Sequence, residues 1–267
     1  MDCKIIKFIL FLILPFNSYA TEFQGSFKQG SFILGKTEPG SRVFIDKRNI
    51  RVTNEGFFAF GLDRDRKNDV TIKIQKDNKL KTIYKKVLKR DYKIQKIDGL
   101  PSKQVTPPPE VYERIKKDNK LIGEARSLDT SYDFFKDKFI YPVEKYVITG
   151  VYGSQRILNG KPRRPHYGID FHAPEGTPVK AMMDGEVTLA ENDMYFTGGT
   201  LIFDHGHGIS TLFMHMKDIN VKVGQKVKQG EIVGTLGQTG RATGPHLDIR
   251  LNWFNVKLDP ATILNLN

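Results

Sequence analysis

The chain has 267 residues, enough for one large domain or two modest ones, each with its own core. Its formal charge of +12 suits an anionic partner. The basic residues are spread along the chain, however, with no aromatic-interleaved stripe and no groove-reading motif, which argues against nucleic acid. The single cysteine, Cys3, leaves no disulfide framework.

The first twenty residues have the form of an export signal. Lys4 and Lys7 precede the apolar run 8–16, and "NSYA" closes it with Ser18 and Ala20, a small-x-small cleavage pattern. The run is too short for a permanent membrane anchor, and no later stretch is apolar enough to be a membrane helix. The mature protein is expected to start near Thr21, outside the cytoplasm, in the periplasm or at the cell wall, with no integral membrane segment. In that compartment, carboxylate-rich wall polymers or anionic lipid surfaces are better partners for the charge than nucleic acid. Lysine-rich faces that serve only solubility are the plain alternative.

Residues 21–100 read as a small β-sandwich. The runs 42–46, 57–62, 70–75 and 81–88 are rich in β-formers and separated by "EPGS", "NEG" and "KDNK" turn signals. With no histidine, this module has nothing that carries chemistry. Residues 101–140 read as a linker: a proline break, then an amphipathic helix with Val111, Ile115, Leu121, Ile122 and Ala125 as its stripe. Residues 141–267 turn glycine-rich and β-like, with no helix-length periodic run. The expectation is a mainly β protein whose C-terminal half is a compact antiparallel domain, with the sandwich as a positioning or inhibitory module.

All six histidines fall in that half. Three segments alternate in the same way. In "HYGIDFH" (166–172), Tyr167, Ile169 and Phe171 alternate with His166, Asp170 and His172. In "TLFMHM" (211–216), Leu212, Met214 and Met216 alternate with Thr211, Phe213 and His215. In "HLDIRL" (246–251), Leu247, Ile249 and Leu251 alternate with His246, Asp248 and Arg250. If these strands are neighbours, their polar faces form one floor of imidazoles and carboxylates. Such a floor suits a catalytic metal with three protein ligands and an open position, leaving a histidine as base.

These blocks, together with "DHGHGISTLFMHM" and "VKVGQKVKQGEIVGTLGQTGRATGPHL", resemble the lysostaphin/LytM-type zinc endopeptidases of bacterial cell walls over residues 145–265. The resemblance implies a compact antiparallel β domain with an open groove. It also implies one Zn²⁺ per chain and hydrolysis of stem peptides or cross-links of peptidoglycan. Carried over by position, it makes His166 and Asp170 metal ligands, His215 the transition-state stabiliser and His246 the group that handles the proton of water. The third ligand of the family is normally a histidine, where this chain has Asp248. A carboxylate is an acceptable zinc ligand, but two of them cancel the ion's charge, weaken its Lewis acidity and relax selectivity toward Mn²⁺ or Fe²⁺.

Smaller expectations attach to the remaining residues. His172 is a possible substitute ligand, and His205 and His207 are supporting or structural. Arg250 either binds a substrate carboxylate or pairs with Asp248. Arg163 and Arg164 either contact anionic peptides or are solvated. Two other functions compete with the hydrolase: a catalytically impaired groove-binding regulator of another wall hydrolase, and a biotinyl- or lipoyl-type carrier. The carrier lacks its lysine at a hairpin tip.

Overall fold

The computed structural model describes residues 20–99 and 105–264, so the proposed export signal lies almost wholly outside the described residues. Two antiparallel sheets open the chain. One orders β1 (Glu22–Gln24), β2 (Phe32–Lys36) and β5 (Phe57–Gly61) as β1-β2-β5. The other takes β3 (Arg42–Ile45), β4 (Arg48–Ile50), β6 (Val70–Lys76) and β7 (Lys79–Lys85) in the order β4-β3-β6-β7. Alternation decides what each strand buries: on β6, Val70, Ile72 and Ile74 point inward and Lys73 outward. Phe32, Phe58 and Phe60 of the first sheet share one apolar cluster with Val43, Ile45 and Ile72 of the second.

The next strand, β8 (Ile94–Ile97), leaves the sandwich. It pairs in parallel with β10 (Gln155–Leu158), which hairpins to β11 (Lys161–Pro162). The sequence alone gave no sign of this crossing, because a four-residue strand paired to a distant segment leaves no local pattern. The helix is shorter than the linker: a 3-10 turn at Pro109–Val111 leads into α1 (Tyr112–Ala125). Pro109 starts the turn where a missing N–H costs nothing.

The C-terminal half is built on a ten-stranded sheet ordered β17-β14-β15-β16-β19-β12-β9, with β13, β18 and β20 on side branches. Its strands are β9 (Val147–Gly150), β12 (Ile169–His172), β13 (Pro178–Lys180), β14 (Gly185–Met194), β15 (Gly198–Gly206), β16 (Ile209–Ile219), β17 (Lys226–Val227), β18 (Ile232–Leu236), β19 (Leu247–Trp253) and β20 (Val256–Leu258). A single helical turn, α2 (Ala261–Leu264), follows. Every pairing in this sheet is antiparallel.

The two faces of this sheet have different neighbours. Phe203, Phe213, Leu247, Ile249 and Leu251 belong to the same cluster as the sandwich residues, so the two halves share a core. Phe60 meets Trp253 edge-on at 6.4 Å, Arg90 pairs with Asp259 at 2.5 Å, and the Phe32 N–H donates to Thr262 Oγ1. On the opposite face Leu189, Met194, Ile202, Leu212 and Met214 form a second cluster, with Leu121, Ile122 and Ala125 of α1 packed on it. This helix-covered face also carries the site.

Candidate metal centre and catalytic cleft

Register places the acids. Asp170 of β12 lies directly opposite Asp248 of β19, so their side chains rise side by side from one face. His166, in the turn before β12, brings Nε2 to 3.1 Å from Asp170 Oδ1 and 3.3 Å from Asp248 Oδ2. All three side chains are buried, and one ligand atom from each falls within 4.8 Å of the others. Glycine makes the room. A Cβ on Gly150, opposite Asp170, would collide with that carboxylate, and one on Gly168 would collide with Asp248.

The donor set fits a divalent cation. Both ring nitrogens of His166 and Oδ1 of Asp170 are buried without a hydrogen-bond partner, a costly arrangement unless something else engages them. Arginines hold the acids from outside: Arg156 reaches Asp170 Oδ2 at 3.3 Å, and Arg250 reaches Asp248 Oδ2 at 3.1 Å. Burial opposes ionisation of Asp248, but Arg250 and His166 outweigh it and hold the carboxyl well below its usual range. Burial also opposes protonation of His166, and the nearby charges of Asp248 and Asp170 override it, raising the imidazole. A cation in place of that proton meets two carboxylates and one imidazole.

The other two histidines sit alongside. His215 and His246 lie with ring centroids 4.6 Å apart. Nδ1 of His215 faces the Thr239 carbonyl and Nδ1 of His246 the Gly244 carbonyl, each at 2.8 Å. A carbonyl only accepts, so each Nδ1 carries the hydrogen, and the neutral ring presents a lone pair at Nε2. Burial, then the neighbouring His246, pushes His215 down to about 4, so it is neutral at neutral pH.

The expected phase of residues 211–216 is corrected. Leu212 stands opposite Arg250 and Met214 opposite Asp248, so these two are on the site face, while Phe213 opposite Ile249 is in the core. Regular alternation would then bury His215. Its φ of 64° breaks the alternation, turning His215 to the cleft and sending Met216 into the core. The same break shifts the β15–β16 register next to Gly199. A β-bulge at a non-glycine residue has no marker in the sequence.

The remaining histidines divide as follows. His172 is exposed and donates from Nδ1 to the Pro245 carbonyl at 2.7 Å; it lines the cleft but is not in the three-residue group. His205 donates to the Asp184 carbonyl and accepts from Thr211, and burial lowers it to about 4. His207 packs on Phe135. Arg250 does pair with Asp248. The sequence reading missed Arg156, the two glycines and the Thr239 and Gly244 carbonyls. Of these, only Gly168, inside "HYGID", had a visible signal.

The cleft, about 260 Å³, holds Asp170, Asp248, His172, His215 and His246, and Gln95 and Ile97 of β8 help wall it. A larger cavity of about 720 Å³ adjoins it, sharing Arg156, Leu158 and Arg241 and reaching His166.

Residues 164–260 match the family model described as peptidase family M23. Peptidoglycan DD-endopeptidase ShyA of Vibrio cholerae is 41% identical over 113 residues, 42% of this chain and 26% of that protein. Peptidoglycan DD-endopeptidase ShyC of the same organism is 38% identical over 100 residues, 38% of this chain and 23% of that protein. The chain thus spans about a quarter of the length of these relatives. A crystal structure of a putative peptidase M23 from Pseudomonas aeruginosa superposes with a TM-score of 0.66 at 25% identity, covering 90% of this chain and 96% of that one.

Proposed function

We propose that this chain, which belongs to peptidase family M23 through residues 164–260, is an exported zinc metallo-endopeptidase that hydrolyses peptide cross-links or stem peptides of bacterial peptidoglycan. The observation that supports this most is the convergence of His166, Asp170 and Asp248, with orphaned donor atoms, beside two histidines whose Nε2 lone pairs are free. His166, Asp170 and Asp248 would hold one metal ion. Bound there, the ion would supply Lewis acidity to the scissile carbonyl and to the attacking water.

His246 Nε2 takes the proton of that water and returns it to the leaving amine. His215 cannot donate at rest, because its one hydrogen is committed to Thr239. Protonated at Nε2, it would be a donor for the developing oxyanion. Arg156 and Arg250 fix the two carboxylates, and Arg250 helps keep Asp248 ionised.

The Arg250–Asp248 pair favours a second reading. It already compensates the charge of the third ligand, as in a groove that binds peptide without cutting it. Digestion of purified cross-linked muropeptides by the mature protein, read by mass spectrometry with and without chelator, tests the two. The hydrolase gives metal-dependent monomers. Intact dimers from metal-loaded protein would leave the regulator.

A further inference from the structure

We propose that the larger cavity beside His166 is an anion subsite that recognises free carboxylates on the peptide substrate, so that the enzyme selects acidic stem peptides over amidated ones. The inference rests on the hydrolase reading for what the peptide is, but not for the cavity's chemistry. Arg126, Arg156, Arg163, Arg164, Arg250 and Lys257 line it, with Arg241 where it joins the cleft, and no Asp or Glu does so among the described residues.

These side chains are half-buried, Arg164 excepted, which is exposed, and crowding like charges around one cavity is unfavourable unless an anion arrives. Of Arg126, Arg156, Arg163, Arg164, Arg250 and Lys257, only Arg156 and Arg250 meet carboxylates in ion pairs among the described residues, and both partners are the acids of the metal centre. Arg163 gives its guanidinium to the Val105 carbonyl and Thr106, and Lys257 rests over the Tyr167 ring at 4.2 Å. The Nε atoms of Arg126 and Arg163 are buried with no partner. Burial, then Arg250, Arg126 and Arg164, lowers Lys257 to about 8; burial, then Arg250, lowers Arg126. Like charges therefore face one cavity with no carboxylate in its lining among the described residues.

Its place and size choose the ligand. A volume of about 720 Å³ accepts a few peptide residues but not a polymer duplex. Because it shares Arg156, Leu158 and Arg241 with the catalytic cleft, a peptide crossing that boundary enters both spaces. Guanidinium forks suit planar carboxylates, and several at different depths suit more than one. The ligand class is therefore a short peptide with at least two free carboxylates.

Calorimetric titration of the full mature chain with L-alanyl-γ-D-glutamyl-meso-diaminopimelate, its diamide, and inorganic phosphate tests this. The acid should bind about tenfold or more tightly than the diamide and than phosphate, and weaken as salt rises. Lys257→Met and, separately, Arg126→Gln should each lower affinity for the acid about tenfold, with melting temperature unchanged or raised because a repelling charge is gone. Equal binding of acid and diamide, phosphate binding as tightly as the acid, or both variants binding like wild type overturns the subsite. Equal cleavage of acidic and amidated cross-linked peptides removes the subsite and leaves the hydrolase reading standing. Selective binding of the acid without cleavage does the reverse.

Discussion

A neutral imidazole whose Nδ1–H is committed to a carbonyl has one thing left to offer, a lone pair at Nε2. That holds for His215, and for His246 in its neutral form, each of which can take up a proton at Nε2. His215→Ala and His246→Ala should keep the metal and lose about a hundredfold or more in kcat, measured on a defined cross-linked muropeptide. Near-normal turnover of His246→Ala would place the base elsewhere. His205 makes a different prediction. Its folded value of about 4 lies below the ordinary 6.5, so its contribution to stability is complete above pH 6.5. As pH falls toward 4 the unfolded ring takes a proton that the folded ring refuses, at a loss of up to ~1.4 kcal/mol per pH unit. The urea midpoint should fall between pH 7 and 5, and fall less steeply in His205→Asn, which keeps a donor for the Asp184 carbonyl. An identical slope in the variant would assign the pH dependence to other groups.

Strands bring the acids together, and what lies opposite them decides whether a metal fits. Gly150 and Gly168 have no positive φ, so alanine is acceptable to their dihedrals; the cost is the collision with Asp170 or Asp248 and, at Gly168, with the Ile249 carbonyl as well. Gly150→Ala and Gly168→Ala should therefore weaken metal binding by about tenfold or more while the circular dichroism of the sheet is retained. Metal affinity equal to wild type in both would mean that the carboxylates have freedom the packing does not suggest. Much at this scale was legible in advance. The alternation of 246–251 and 166–172 gave the right face for Asp170 and Asp248, and the strand runs 42–46, 57–62 and 70–75 fall on β3, β5 and β6. The run 211–216 was legible only to the eye for histidine: its apolar face was assigned the wrong way round. Leu212 and Met214 look like core residues, and they are, but of the helix-covered cluster on the site face. An apolar residue does not say which of two hydrophobic faces it belongs to. Strand β8 was invisible because its partner is some sixty residues away, with Ile94 opposite Gln155.

Across the whole molecule the sandwich and the C-terminal half are joined by packing and charge. The sandwich core runs into Trp253 and Leu258, and β8 supplies a wall of the cleft. The shared core couples the folding of the two halves. The full mature chain should unfold in one calorimetric transition, and a chain beginning near Lys136 should melt well below it or aggregate, because it exposes apolar surface that the sandwich covers. Two separated transitions, or a truncated chain as stable as the whole, would mean that the halves fold independently. The central claim is that one cation per chain is held by His166, Asp170 and Asp248. Its most direct test is metal content after dialysis of the mature protein alongside Asp248→Ala and His172→Ala. The account predicts one divalent ion per chain in the wild type and in His172→Ala, and none in Asp248→Ala. An Asp248→Ala protein that retains its ion while His172→Ala loses it would contradict the ligand set.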